Sequence, residues 1–439
     1  MESPSRDRRS TSSPHSSLSS PPCFSLSLFL SVILLLSGNM PVRVVSLGIN
    51  YGQIANNLPS PEKVVPLVKA IGATKVKLYD ADPKVLKAFA NTGIEFTVTV
   101  GNGDLPQMAK DPKQAIDWVK KNVQSYLPDT NITCILIGNE VLALNDTALT
   151  TSLLPAMQNM HSALQTLGLD RNVWVTTAHN LAILDTSYPP SAGSFRQDVA
   201  GCITQILTFH AKTGSPFLIN AYPYFAYKGN PEEVNLDYVL FQAKTPQVLV
   251  DPDSSLHYDN MLYAQVDAVY AAMGPTFNKK ILVQVSETGW PSKGDEDEVG
   301  ATPENAKKYN GNLIKLLATQ KKGTPMKPNC DLNVFVFALF NENLKPGPTS
   351  ERNYGLFKPD GTPAYSLGFP TIQAVGNASG GGTDAYVPPS TAETAAGGGG
   401  SGGGPSSSGY LSISSSTERY PSIGFSITSL ILIVMMMVL

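Results

Sequence analysis

The sequence predicts an α/β protein whose main domain, residues 47–375, is a single (β/α)8 TIM barrel. Eight short apolar runs recur along this stretch, and helical patterns separate them. Most of the runs are continuously apolar rather than alternating, as expected of parallel strands that are buried on both faces. Eight strand–helix units in about 320 residues match the size of this barrel.

The eight predicted strands share β-branched or aromatic residues and end in polar or small ones. They are Val44–Tyr51, Lys75–Asp80, Glu95–Gly101, Ile132–Glu140, Val173–Asn180, Phe217–Phe225, Ile281–Trp290 and Val334–Asn343. An open doubly wound sheet has the same alternation of strands and helices. The count of eight and the lack of a phosphate-binding glycine fingerprint favour the barrel.

The predicted helices fill the gaps between these strands. They are Ser60–Ile71, Pro83–Asn91, Pro112–Tyr126, Leu149–Leu167, Asp198–Lys212, Asn260–Met273 and Pro303–Ala318. Asp80 and Asp82 are expected to cap the helix that begins at Pro83. The connection from Tyr227 to His257 exceeds the usual length and is expected to form an elaborated loop.

Both ends of the chain are predicted to be processed. Residues 1–46 carry arginines, a short apolar run and then small polar residues, which is the pattern of a secretory signal peptide. Residues 376–414 are rich in Gly and Ser and are expected to form a flexible stalk. Residues 415–439 end in an apolar tail, which together with small residues around Ser414 predicts a GPI-anchor signal with Ser414 as the attachment residue.

A tail-anchored transmembrane helix is the alternative interpretation of the C-terminus. The apolar tail, residues 423–439, is interrupted by Ser426, Thr428 and Ser429, and no basic residue follows it. A predicted signal peptide at the other end also favours the lipid anchor. We therefore expect a secreted protein held at the outer face of the plasma membrane, in the cell wall space.

Composition excludes several classes of partner and chemistry. The net charge is −3 and charged residues make up only 15%, so no nucleic-acid partner is expected. The five histidines are scattered and no CxxC pattern occurs, so no metal site is predicted. No GxSxG nucleophile elbow is present. Nothing indicates an oligomer, and we expect a monomer.

Cysteines and sequons fit a secreted protein without a disulfide framework. Cys23 falls in the predicted signal peptide, which leaves three widely spaced cysteines. Three N-x-S/T sequons are candidate glycosylation sites, at Asn131, Asn145 and Asn377. Asn131 directly precedes a predicted strand.

The C-terminal ends of the predicted strands carry the candidate reactive groups, as is usual in such barrels. Glu140 and Glu287 each follow a strongly apolar strand, where a charged residue is costly unless it is paired or used. A pair of carboxylates surrounded by aromatic rings is the requirement for glycoside cleavage. A helix cap or a structural ion pair is the alternative role for each glutamate taken alone.

Further polar and aromatic residues collect at the same strand ends. Glu342 and Lys345 form either a structural ion pair or direct contacts to a substrate. The aromatic cluster around Pro223 either packs in the core or forms a binding surface, and its place at a strand end favours the surface.

Six segments resemble the plant glucan endo-1,3-β-glucosidases of glycoside hydrolase family 17, in the family order, over about residues 47–370. They are Leu47-Gly-Ile-Asn-Tyr-Gly52, Lys77-Leu-Tyr-Asp80, Ile137-Gly-Asn-Glu140, Asn220-Ala-Tyr-Pro-Tyr-Phe225, Val285-Ser-Glu-Thr-Gly-Trp-Pro-Ser292 and Phe340-Asn-Glu-Asn-Leu-Lys345. The resemblance implies a retaining hydrolase of 1,3-β-glucans with Glu140 as general acid/base and Glu287 as nucleophile. It implies no metal and no organic cofactor.

The resemblance also implies the substrate-binding residues. They are Tyr79, Asn139, Asn220, Tyr222, Trp290, Phe340, Glu342 and Lys345. Three alternatives stay open: cleavage of mixed 1,3;1,4-β-glucan, transglycosylation, and an anchored wall-glucan binding protein without turnover. The presence of both glutamates argues against the last of these.

Overall fold

The computed structural model describes residues 47–244, 248–318 and 323–367. Eight parallel strands close into a barrel, and each strand pairs with its neighbours in chain order while the last pairs with the first. The strands are β1 Leu47–Asn50, β2 Lys75–Lys77, β3 Glu95–Val100, β4 Asn131–Asn139, β5 Trp174–Asn180, β6 Phe217–Asn220, β7 Val283–Thr288 and β8 Val334–Val336. The predicted fold is therefore confirmed.

Helices surround this barrel and cover its outer face. They are α1 Pro61–Ala70, α2 Pro83–Ala88, α3 Leu105–Lys110, α4 Pro112–Asn122, α5 Thr147–Thr166, α6 Gln197–Thr213, α7 Pro223–Gly229, α8 Leu236–Val239, α9 Met261–Asn278 and α10 Pro303–Ala318. The seven predicted helices are all present, and α3, α7 and α8 were not predicted. The long connection contains α8 and a short antiparallel pair, Leu249–Val250 with His257–Tyr258.

Several strands end earlier than their apolar runs. The predicted sixth strand, Phe217–Phe225, ends at Asn220 because Pro223 has no N–H for the sheet and instead begins α7. The predicted eighth strand, Val334–Asn343, ends at Val336, after which Phe340 forms only an isolated bridge to Phe357. The residues after Asn220 and after Val336 therefore leave the sheet at the C-terminal end of the barrel strands.

The cap predicted for α2 comes from one of the two aspartates. The Asp82 side chain accepts hydrogen bonds from the backbone N–H groups of Lys84 and Val85, at 2.6 and 3.1 Å. Asp80 instead accepts from the N–H of Asp82, at 3.1 Å. Asp80 thus stabilises the turn before the helix, and its predicted role as a helix cap is wrong.

The main core lies between the barrel and the helices, and a smaller cluster fills the barrel itself. Leu136, Ala178 and Leu218 from β4, β5 and β6 form that inner cluster. Above it, toward the C-terminal ends of the strands, the interior becomes polar. Burial of these polar groups is possible only where each is hydrogen-bonded or paired.

Some predictions fall outside the described residues. The signal peptide, the stalk, the anchor signal with Ser414, and the sequon at Asn377 all do so. In the described part of the chain, no helix is both long and apolar enough to cross a membrane. Cys134, Cys202 and Cys330 are present as free thiols.

Candidate active site

Glu140 stands immediately after β4, where the backbone turns out of the barrel wall. Its φ of 56° and ψ of 28° are left-handed, a conformation that non-glycine residues adopt rarely and often at functional sites. The Glu140 N–H donates to the carbonyl of Ala178 on β5, at 2.9 Å. The left-handed backbone and this hydrogen bond fix the direction in which the Glu140 carboxyl projects into the barrel mouth.

The Glu140 carboxyl is buried and held by two amides. Asn220 Nδ2 donates to Oε1 at 2.7 Å, and Asn180 Nδ2 donates to Oε2 at 3.1 Å. Burial and then the charge of Glu287 raise the pKa of Glu140 to about 7, against the opposing effect of the two amides. Glu140 can therefore keep its proton in mildly acidic solution.

Glu287 lies near the end of β7 and has the opposite environment. Lys77 Nζ donates to Oε1 at 2.7 Å, and the Tyr222 hydroxyl donates to Oε2 at 2.9 Å. Although burial raises the pKa of Glu287, the Lys77 ammonium and the hydrogen bonds outweigh it and lower the pKa below its usual value. Glu287 is thus held as a carboxylate.

Sequence reasoning missed Lys77, which forms the buried ion pair with Glu287. Its side chain is only 1% exposed, and its Nζ also lies 4.9 Å from the centre of the Tyr79 ring. The available signal was a lysine inside a predicted buried strand, because an unpaired buried ammonium is very costly. Asn180, the second amide on Glu140, was also missed as a functional residue.

Asn220 contacts both Glu140 and the residue that precedes Glu287. Besides donating to Glu140, its Oδ1 accepts from the hydroxyl of Ser286, at 2.6 Å, and Ser286 directly precedes Glu287. Asn139 lies beside it, with its Oδ1 3.4 Å from Asn220 Nδ2. The predicted binding residues Asn139 and Asn220 therefore lie side by side next to the Glu140 carboxyl.

Asn102, at the end of β3, fixes the backbone of Asn139. Its Oδ1 accepts from the Asn139 N–H at 2.8 Å, and its Nδ2 donates to the Asn139 carbonyl at 3.1 Å. This pair of bonds holds the chain that leads directly into Glu140.

Glu342 and Lys345 are buried next to the site but have different partners from those expected. Lys345 forms an ion pair with Glu351, at 3.1 Å, and its Nζ lies 4.1 Å from the centre of the Phe337 ring. Glu342 Oε1 accepts from the Ile54 N–H at 2.7 Å. Gly52 makes room for this carboxylate, since a Cβ there would lie 2.4 Å from Glu342 Oε2.

The predicted aromatic contacts divide into two groups. Tyr79 and Tyr222 are half-buried at the catalytic centre, where each can still present a surface. Trp290 is 0% exposed and Phe340 is 2% exposed, so neither offers a surface to a substrate in this structure. Trp290 instead packs on Tyr224, at 5.1 Å between ring centres, and donates its Nε1–H to the Gly300 carbonyl at 2.8 Å.

Two of the predicted glycosylation sites are accessible. Asn131 is the exposed first residue of β4, and Asn145 is exposed just before α5. Within the described ranges, no three His, Cys, Asp or Glu side chains are grouped so that they could hold a metal ion.

The known proteins that this chain resembles belong to one family. The model for "Glycosyl hydrolases family 17" matches residues 47–369. "Glucan endo-1,3-beta-glucosidase 11" of Arabidopsis thaliana is 64% identical over 357 residues, which cover 81% of this chain and 82% of that protein. "Glucan endo-1,3-beta-glucosidase 10" of the same plant is 61% identical over 359 residues, 81% of this chain and 84% of that one.

Two solved structures of plant β-glucan-hydrolysing enzymes also superpose on this chain. A pollen protein of Cryptomeria japonica, "CJP38, a beta-1,3-glucanase and allergen", superposes with a TM-score of 0.70 at 41% identity, covering 74% of this chain and 99% of that chain. A structure from a study of two plant beta-glucan endohydrolases with distinct substrate specificities gives 0.67 at 38% identity, covering 73% of this chain and 100% of its own.

Proposed function

Because the chain belongs to glycosyl hydrolases family 17, we propose that it hydrolyses internal 1,3-β-glucosidic bonds of 1,3-β-glucans by double displacement. The 1,3-β linkage is inferred from the similar glucan endo-1,3-beta-glucosidases. The observation that carries the mechanism is the contrast between the partners of two buried glutamates at one barrel mouth: two amides for Glu140, and an ammonium with a hydroxyl for Glu287.

Glu287 is the proposed nucleophile. A carboxylate attacks only when it is ionised, and the Lys77 ammonium with the Tyr222 hydroxyl stabilises that form. The same two donors also orient the carboxylate, because Lys77 bonds one of its oxygens and Tyr222 the other. In the first step Glu287 forms a bond to the anomeric carbon while the glycosidic bond breaks.

Glu140 is the proposed acid/base. With a pKa raised to about 7 it can give its proton to the departing glycosidic oxygen in mildly acidic solution. After that transfer it is a carboxylate and accepts a proton from an incoming water. The water oxygen then bonds to the anomeric carbon, Glu287 leaves, and Glu140 regains its proton.

The neighbouring polar groups supply binding rather than proton transfer. Asn139 and Asn220 are proposed to hydrogen-bond sugar hydroxyls next to the reacting bond, and Tyr79 and Tyr222 to contact the sugar ring. Glu342 and Lys345 are proposed to support this wall of the site. Their own partners, the Ile54 N–H for Glu342 and the Glu351 carboxylate for Lys345, favour support over wide contact with a polymer.

Location is a separate proposal. The signal peptide in residues 1–46, the stalk in residues 376–414 and the anchor signal with Ser414 together predict a protein anchored outside the plasma membrane. Release of the protein from intact cells by a phosphatidylinositol-specific phospholipase would support the anchor. Retention in the membrane after this treatment would favour a transmembrane tail.

The activity is tested by sizing products over time. The full chain, produced in a eukaryotic secretory host, is incubated with laminarin and separately with mixed-linkage glucan, and Glu287→Gln is the control. Mid-sized oligosaccharides from laminarin that are absent with Glu287→Gln are expected. Products from the mixed polymer alone would move the specificity to 1,3;1,4-glucan, and binding of laminarin without products would contradict a hydrolase.

A further inference from the structure

A groove with a volume of about 650 Å³ lies beside the catalytic centre and is not used by the mechanism. Its upper end is formed by the loop after β2, beginning at Asp80, and by Gly101 at the end of β3. Its wall is one face of α4, whose lining residues follow the helical spacing i, i+3, i+4, i+7 and i+8: Gln114, Asp117, Trp118, Lys121 and Asn122.

Trp118 on this face of α4 and Tyr126 beyond the helix pack partly against the main core, and each also lines the groove. Ala115 and Val119, the residues that α4 buries completely, lie on the neighbouring face of the helix. Trp118 is half-buried, and Tyr126, just beyond the helix, is half-buried as well. Two aromatic side chains in one open groove provide flat apolar surface that water covers poorly.

The polar groups around these rings indicate the class of ligand. Four aspartates line the groove, whereas Lys121 is the one cation among its lining residues. This excess of carboxylates opposes an anionic ligand such as a phosphate. The described residues also hold no group of three acidic or His/Cys side chains arranged for a metal ion. A neutral polyhydroxylated chain with apolar ring faces fits the mixture of aromatic rings, amides and carboxylates.

The groove begins next to residues of the catalytic centre. Asp80 directly follows Tyr79 and lies three residues after Lys77, which pairs with Glu287. Gly101 directly precedes Asn102, which fixes the backbone of Asn139. A polymer that occupies the barrel mouth can therefore continue into this groove and run along α4 for about 16 Å, the length of an 11-residue helix.

We propose that this groove binds a second segment of the β-glucan chain, outside the catalytic cleft, with Trp118 as its main contact. The inference rests on the proposed function for the identity of the polymer. Its consequence is a preference for long chains. The groove lowers the concentration at which a polymer saturates the enzyme, because the two contacts are linked through one molecule.

The test compares a long and a short substrate in three full-length proteins: wild type, Trp118→Ala and Trp118→Phe. For Trp118→Ala we expect the KM for laminarin to rise about three- to tenfold, which corresponds to ~0.7–1.4 kcal/mol, with kcat unchanged. The kinetics on laminaripentaose, too short to fill both sites, should stay unchanged. Trp118→Phe keeps an aromatic face and should stay within about twofold of wild type on both substrates.

A binding measurement makes the inference independent of turnover. The affinity for laminarin is measured in Glu287→Gln and in the same protein with Trp118→Ala, after thermal unfolding shows equal melting temperatures. We expect a threefold to tenfold weaker affinity in the second protein. If the wild type cuts no glucan, the proposed function fails, and this pair still decides whether the groove binds the polymer.

Three results would overturn the inference. Equal laminarin KM values in wild type and Trp118→Ala would show that the groove is not used. Parallel loss on laminarin and laminaripentaose would place Trp118 in support of the catalytic cleft. Binding of oligolysine that is lost in Asp104→Asn, with laminarin affinity unaffected by Trp118→Ala, would assign the groove to a basic partner instead.

Discussion

Replacing Lys77 with methionine should remove one partner of a buried ion pair and leave the other buried without compensation. The side chains of Lys77 and Glu287 are 1% and 7% exposed, and their charged atoms lie 2.7 Å apart. Breaking such a pair from one side costs about 3–5 kcal/mol. We expect a loss of this size in the free energy of unfolding at neutral pH.

The pH dependence of this loss follows from the sign of the pKa change. The pKa of Glu287 is lowered in the folded protein, so its ion pair contributes stability above the unfolded pKa and loses it as pH falls through the folded pKa. The difference between wild type and Lys77→Met should therefore shrink in acid. Because the Lys77 ammonium no longer opposes the effect of burial on the pKa of Glu287, the acid limb of kcat/KM should move to higher pH in the variant.

Urea unfolding of four proteins provides the assay: wild type, Lys77→Met, Glu287→Gln and the double variant. In the Glu287→Gln background no carboxylate is left as the ion-pair partner of Lys77, so Lys77→Met should cost less than half of its cost in wild type. Equal costs of Lys77→Met in both backgrounds would refute the reasoning, since they would mean that the pair does not interact across 2.7 Å.

Three further predictions concern the groups around the pair. Because the pKa of Glu140 is about 7, kcat/KM should fall as pH rises through that value. The raised pKa also means that the folded wild type loses stability as Glu140 ionises. Urea unfolding should therefore show that the free energy of unfolding of Glu140→Gln, relative to that of wild type, rises by about 3 kcal/mol between about pH 4 and pH 8. Tyr222→Phe removes the 2.9 Å hydrogen bond to the Glu287 carboxylate, and steady-state kinetics should show kcat/KM about 10- to 100-fold lower with unchanged melting temperature. Gly52→Ala places a Cβ 2.4 Å from Glu342 Oε2, so thermal unfolding should show a loss of about 1–3 kcal/mol, and an unchanged melting temperature would contradict the contact.

The barrel could be predicted from the sequence because its strands depend on local pattern. Largely apolar runs such as Ile132–Ile137 are typical of parallel strands buried on both faces, and the spacing between the runs leaves room for at least one helix. The ends of the strands were less predictable. At β8 the apolar run continues to Phe340, but the backbone leaves the ladder after Val336, and nothing in the local pattern marks that point.

The two glutamates could also be predicted, because a charged residue that ends an apolar strand needs a reason to be there. The ion-pair and hydrogen-bond partners of these glutamates could not be predicted. Lys77 meets Glu287 because β2 and β7 face each other across the barrel interior, which depends on register rather than on sequence distance. In the same way Lys345 forms its ion pair with Glu351, whereas an ion pair with Glu342 was one of the two roles that the sequence left open.

The aromatic residues show the same limit. Trp290 and Phe340 follow strand ends, as Tyr222 does, and all three were expected to line the cleft. Once the chain leaves a strand, its side chains no longer alternate with a fixed period, so the sequence does not tell which of them turn inward. Trp290 turns toward Tyr224 and Tyr309, and Phe340 toward Tyr51, while Tyr222 turns toward Glu287.

The distinct environments of Glu140 and Glu287 explain how two identical side chains can take different roles. Two amides surround the first, and an ammonium with a hydroxyl surrounds the second. Amides can hydrogen-bond either form of a carboxyl group, whereas an ammonium favours only the ionised form. The acid and the nucleophile are thus distinguished by their partners.

The most direct test of this account is the configuration of the first product. The full chain is mixed with laminaripentaose, and the anomeric proton signals are followed by NMR from the first minutes. Double displacement through Glu287 predicts that the β-anomer appears first and the α-anomer only later, by mutarotation. Initial formation of the α-anomer would show a single displacement by water and would contradict the role assigned to Glu287.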